Sequence, residues 1–115
     1  MPNRVDHSRF LEKIDRAEIV ALASRLIATP SNSGNERAIM TDVARWAEEQ
    51  GISHQHHTLD PDRPNLVLTI GSANQGPIVV MNGHLDTVPV SDEASWRSDP
   101  YEPTVSPDGR KLVGR

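Results

Sequence analysis

The sequence predicts an α/β layered domain, with helices first and strands after them. Three observations carry that expectation. Apolar residues recur at helical spacing in the first half, most of the nine prolines and seven glycines fall after residue 60, and the run Ile78-Val79-Val80-Met81 is apolar at every position. Such a run marks a strand buried on both faces, which needs helices to cover it.

The elements follow in order. Residues 7–14 form a short helix using Phe10, Leu11 and Ile14. Asp15-Arg16-Ala17-Glu18 has the form of a capping box, in which Asp15 accepts from a first-turn N–H and Glu18 reaches back. The helix it opens carries Ile19, Leu22, Ala23, Leu26 and Ile27 on one stripe and stops before Pro30. After a turn-rich loop from Thr29 to Gly34, Ser33 and Glu36 make a second capping box for a helix running to about Gln50, with Gly51 as its stop. Its inward face carries Ile39, Val43 and Trp46 or Ala47. Residues 52–59, 65–70 and 77–81 then read as three strands, separated by turns at residues 61–64 and 71–76.

Composition narrows the function. The 115 residues carry 36% hydrophobic and 24% charged side chains, the make-up of an ordinary globular protein, and one domain is the expectation. A net charge of -4 without a long Lys or Arg run argues against nucleic acid and anionic membranes as partners. There is no stretch of about 18 apolar residues, and the start Met1-Pro2-Asn3-Arg4-Val5-Asp6-His7 lacks the apolar core of a secretory signal. A cytoplasmic location is expected. With no cysteine, any metal must be held by His, Asp and Glu, the donor set of hydrolytic sites rather than of zinc fingers.

The informative segment is Val80-Met81-Asn82-Gly83-His84-Leu85-Asp86-Thr87-Val88-Pro89. It places two ionisable residues after a buried strand, where ligands bind in open α/β sheets. His84 and Asp86 are two apart, so an extended backbone turns both side chains to one side. A neutral imidazole binds zinc, and a carboxylate beside it fixes the ring or positions a nucleophilic water. Alone, the triplet reads as a polar pair making local hydrogen bonds at a strand end, because short motifs arise often by chance.

The surroundings change that reading. Gly83-His84-Leu85-Asp86-Thr87-Val88-Pro89 is followed in order by Trp96, Asp99-Pro100-Tyr101, Pro103 and Asp108-Gly109-Arg110-Lys111-Leu112-Val113-Gly114-Arg115, and is preceded by Thr29-Pro30-Ser31-Asn32-Ser33-Gly34-Asn35-Glu36. From about residue 18 onward the chain resembles the zinc hydrolases that include acetylornithine deacetylase, succinyl-diaminopimelate desuccinylase, aminoacylases and glutamate carboxypeptidases. The resemblance implies a partial, truncated three-layer zinc-peptidase-like catalytic domain, with helices packed on a mixed sheet. It implies two zinc ions, with cobalt or manganese as alternatives, that act on the amide bond of an N-acyl amino acid or small peptide. In those terms His84 looks like a zinc ligand and Asp86 like the catalytic carboxylate.

What the resemblance does not supply here is the rest of the site. The family's bridging aspartate follows a Gly-Arg-Gly segment, and the chain stops at Gly114-Arg115. The glutamate base, the other ligands and a lid domain that mediates homodimerisation are expected further on. One histidine cannot hold a catalytic zinc, which needs three protein ligands. The 115 residues alone are therefore expected to bind zinc weakly and to hydrolyse nothing. The competing class is a noncatalytic remnant or interaction module. A zinc hydrolase with a His-X-His-X-Asp-His signature is disfavoured because Asn82 stands at the first histidine's place.

Other candidates have plainer explanations. His54, His56 and His57 lack an acidic residue among them and read as polar positions on an edge strand. Trp96 and Tyr101 read as packing, Trp46 as core or interface, and Ser31, Ser33 and Ser91 have no nucleophile context.

Overall fold

The computed structural model describes residues 7–72, 74 and 76–115. Of the segment 1–7, expected to lack a secretory signal, residues 1–6 lie outside the described residues, as do two positions of the turn at 71–76. A short helix α1 (Ser8–Leu11) leads into α2 (Arg16–Ala28) and α3 (Arg37–Glu49). The hairpin β1 (Ser53–His57) and β2 (Asn65–Thr69) follows, then a single 3-10 turn (Glu93–Ser95) and a second hairpin, β3 (Thr104–Val105) and β4 (Leu112–Val113).

α1 is one turn long and leaves Phe10 and Leu11 more than 60% exposed, so its apolar residues find no surface to cover. α2 begins where expected: the Asp15 carboxylate accepts from Ala17 N–H at 2.7 Å and Glu18 N–H at 3.4 Å. It ends at Thr29, whose extended backbone is what a residue preceding proline adopts.

α3 starts differently from the expectation. Ser33 does not cap it. The N–H groups of Glu36 and Arg37 both donate to the Asp62 carbonyl, at 2.9 and 3.1 Å, so a backbone oxygen from the β1–β2 turn takes the role of a side-chain cap. Arg37 reinforces that junction through Pro61 O and the Asp62 carboxylate, at 2.8 and 2.7 Å. At the other end Gly51 adopts φ 67°, Ile52 N–H reaches Ala47 O, and Gly51 N–H reaches Glu48 O, the paired bonds of a Schellman stop.

Among the described residues, apart from Pro64 and Pro100, the buried apolar residues are Ile39, Ala44 and Ala47, all on α3. Val43 and Trp46, expected inward, are half-buried at the edge of that stripe. α3 packs on the antiparallel β1–β2 hairpin, whose register runs from Ser53 opposite Thr69 to His57 opposite Asn65. Arg25 ties α2 to α3 by a two-pronged contact with Asp42 at 2.8 to 3.0 Å and a bond to Glu49 at 2.8 Å.

Two expectations are corrected. Residues 77–81 form no strand ladder, and Ile78, Val79, Val80 and Met81 are 71 to 93% exposed. A strand exists only where a neighbour takes its N–H and C=O groups, and no described segment lies beside this one. The single mixed sheet is likewise absent: the described residues form two separate two-stranded antiparallel sheets, with one isolated parallel bridge between Asn32 and Thr87. The α/β composition stands. The short β3–β4 hairpin, unforeseen in the sequence, closes through Gly109 at φ 67° and returns the chain so that Gly114 lies against Ile27 of α2.

The molecule is open in shape. Its radius of gyration is 17.5 Å, against the roughly 13 Å of a self-contained domain of this length. No described helix is long and apolar enough to cross a membrane.

Candidate functional site

Two loops make the site. Residues 31–33, between α2 and α3, lie alongside residues 85–87. Thr87 N–H donates to Ser31 O at 2.8 Å, Ser33 N–H donates to Thr87 O at 3.1 Å, and the Ser31 hydroxyl donates to Leu85 O at 2.7 Å. Pro30 makes this possible: it ends α2 and leaves the next residues extended, with N–H and C=O groups to offer. Ser31 is buried by the contact, at 3% exposure.

Bracketed by these bonds, His84 and Asp86 turn to the same side, as their spacing predicted, and touch: His84 Nδ1 lies 2.8 Å from Asp86 Oδ1. The other carboxylate oxygen, Oδ2, accepts from the Ser33 hydroxyl at 2.7 Å. The Ser33 bond, then the His84 bond, hold the Asp86 carboxyl below its ordinary pKa. An ionised carboxylate only accepts, so the proton between the two residues belongs to His84 Nδ1. In the neutral ring that tautomer makes Nε2 the acceptor nitrogen, on a side chain 83% exposed to solvent.

The pair forms one wall of an open cleft of about 420 Å³ that Glu36, Met40, Arg63 and Asn65 also line. Glu36 is buried at 5% exposure, with Oε1 accepting from Gly34 N–H at 3.0 Å and Arg63 Nε at 3.3 Å, while Oε2 has no partner among the described residues. Sequence reasoning had given Ser33 and Glu36 to a helix cap and passed over Arg63. The Pro-Ser-Asn-Ser-Gly loop was visible, but nothing in it tells which distant loop it pairs with.

As a candidate metal centre the pair offers a single ligand. Among the described residues no group of three or more His, Asp or Glu side chains stands close enough to hold an ion. His84 Nε2 fits as a ligand and Asp86 as the acceptor that orients its ring. Elsewhere, His54 lies 3.6 Å from Glu48 and edge-on to His56 at 6.1 Å between ring centres. Trp96 and Tyr101 share a surface groove with Glu93, Arg97 and Asp99 beside the buried Pro100.

No family profile matches the chain, and no solved structure does. Curated relatives do match. A succinyl-diaminopimelate desuccinylase of Methylorubrum populi is 36% identical over 100 residues, covering 84% of this chain and 25% of that protein. A second, from Methylobacterium radiotolerans, is 37% identical over 98 residues, 82% of this chain and 24% of the relative. The acetylornithine deacetylase of Edwardsiella ictaluri is 34% identical over 104 residues, 83% and 26% respectively. The chain thus spans about a quarter of the length of the curated relatives it matches. Over the residues it comprises, the chain belongs to the family of the succinyl-diaminopimelate desuccinylases and acetylornithine deacetylases.

Proposed function

We propose that this chain is the part of a metal-dependent amide hydrolase that contributes one metal ligand, His84, and its catalytic carboxylate, Asp86. The observation that carries the reading is the 2.8 Å contact of Nδ1 with Asp86, which leaves Nε2 bare towards the cleft, in a chain similar to desuccinylases and deacetylases. The substrate class is an N-acyl amino acid, with succinyl and acetyl as the acyl groups to test first.

In this mechanism Asp86 keeps the Nδ1–H tautomer of His84 and raises the basicity of Nε2, the nitrogen that would bind the ion. Zinc, with cobalt or manganese as alternatives, supplies Lewis acidity and an acidified water when bound. The neighbouring cleft gives the acyl group a place beside Nε2. The remaining ligands, the general base and a lid that pairs two copies lie, on this reading, outside these 115 residues, where the three-layer peptidase-like fold would be completed. The extended shape and the bare residues 77–81 support that placement. A cytoplasmic enzyme fits the same picture.

The test is an assay of the protein carrying this sequence on N-succinyl and N-acetyl amino acids, after chelation and after adding back each of the three metals. Hydrolysis restored by metal is expected. No hydrolysis with any of them would contradict the enzyme reading and leave a noncatalytic module.

A further inference from the structure

We infer that Ser33 is a positioning residue for His84, acting through Asp86. The inference rests on the proposed metal role of His84 but is carried by geometry that needs no metal. A carboxylate rotates freely about its terminal bond, because that torsion has a broad, roughly two-fold profile. Asp86 does not rotate here, since each oxygen has its own donor: Ser33 Oγ–H on Oδ2 at 2.7 Å and His84 Nδ1–H on Oδ1 at 2.8 Å. The serine is itself held. Its N–H is bound to Thr87 O, and two residues earlier Ser31 is bound to Leu85 and Thr87, so the hydroxyl is delivered to Asp86 by a strapped backbone rather than by a free loop. The first turn of α3, which Ser33 was expected to cap, is satisfied by Asp62 O, and the hydroxyl is spent on Asp86 alone.

The consequence reaches the histidine. With Oδ2 pinned, Oδ1 stays in the imidazole plane's reach and selects the Nδ1–H tautomer, so that Nε2 is presented deprotonated at the cleft. Loss of the serine hydroxyl leaves Asp86 to turn towards water, and the ring reverts towards the Nε2–H tautomer, which cannot bind a cation at that nitrogen.

The experiment is long-range 1H–15N correlation of the histidine side chains in this chain, unmutated, Ser33→Ala and Ser33→Thr, at about pH 8 where an ordinary imidazole is neutral. His84 is expected to be mainly Nδ1–H in the unmutated chain and in Ser33→Thr, and to shift towards Nε2–H in Ser33→Ala. The Thr87 amide reports whether the loop pairing survives. An unchanged tautomer balance in Ser33→Ala overturns the inference, as does a shift that Ser33→Thr fails to restore. In the metal-loaded parent protein Ser33→Ala is further expected to weaken metal binding by about 10- to 100-fold, the usual cost of losing an outer partner. A tautomer shift in a protein whose metal content is indifferent to His84 would leave the positioning role standing and remove the metal role of His84; metal content that depends on His84 with no tautomer shift would do the opposite.

Discussion

Asp86 accepts from Ser33 and His84 and is held ionised by both, so its charge is what ties the loop at residue 33 to the ring at residue 84. Asp86→Asn keeps the shape and removes that charge. On the proposed metal role of His84, the variant is expected to lose about 10- to 100-fold in metal affinity or turnover. Equal turnover and affinity in both proteins would show that the carboxylate does nothing for the ring. A second residue-scale case is Gly51, at φ 67° in the stop of α3. Gly51→Ala is expected to lower unfolding free energy by about 1 kcal/mol, the cost of a Cβ in the left-handed region, read by urea denaturation. At this scale the His84–Asp86 pair was legible, because a spacing of two in extended backbone fixes the side that both residues face. Ser33 was not: its partner is 53 positions away, and a loop-to-loop bond leaves no periodic trace in the sequence.

Among the elements, α2 was readable from its stripe and its Asp15 cap, α3 from its stripe and its Gly51 stop but not from its start, and the β1–β2 hairpin from its turn residues; each lies within a few residues of the expected bounds. Local signals suffice where Asp15 and Gly51 act on their own neighbours, whereas the start of α3 is set at a distance by Asp62 O. What joins α2 to α3 is less local. Arg25 meets Asp42 and Glu49, and the guanidinium bond holds the Asp42 carboxyl below its ordinary pKa, while Arg25 is pushed further up by the same partners. A depressed folded pKa stabilises the native state above the unfolded value, near 3.9, and that contribution disappears as pH falls through the lower folded value. The melting temperature of Asp42→Asn is therefore expected to lie below that of the unmutated chain at neutral pH and to converge with it as pH drops below about 4. A constant gap down to the acid limit would assign the effect to packing instead. The β3–β4 hairpin escaped the sequence because two-residue strands carry no alternation to read.

For the whole molecule, the apolar run at residues 77–81 is the feature that the sequence described correctly in character and wrongly in environment. Four consecutive apolar side chains announce burial, and burial requires partner strands, which no described segment supplies. The chain is accordingly extended, with a buried apolar core of Ile39, Ala44 and Ala47 on one helix. Burying Ile39 contributes about 2 to 3 kcal/mol, a small share of what ordering a chain of this size costs. An exposed strand-forming run is also an aggregation hazard. Val80→Glu, at a position 81% exposed, is expected to raise the soluble concentration of this chain without lowering its melting temperature, measured by sedimentation and circular dichroism. A loss of melting temperature instead would mean that the valine is packed in solution.

The central claim is that His84 holds a metal on which amide hydrolysis depends. It is tested most directly by measuring metal content and N-succinyl amino acid hydrolysis side by side in the protein that carries this sequence and in its His84→Ala variant. The variant is expected to lose bound metal and to lose hydrolysis by more than the roughly 100-fold that an outer partner accounts for. A His84→Ala protein that retains both its metal and its rate would contradict the assignment of His84 as a ligand.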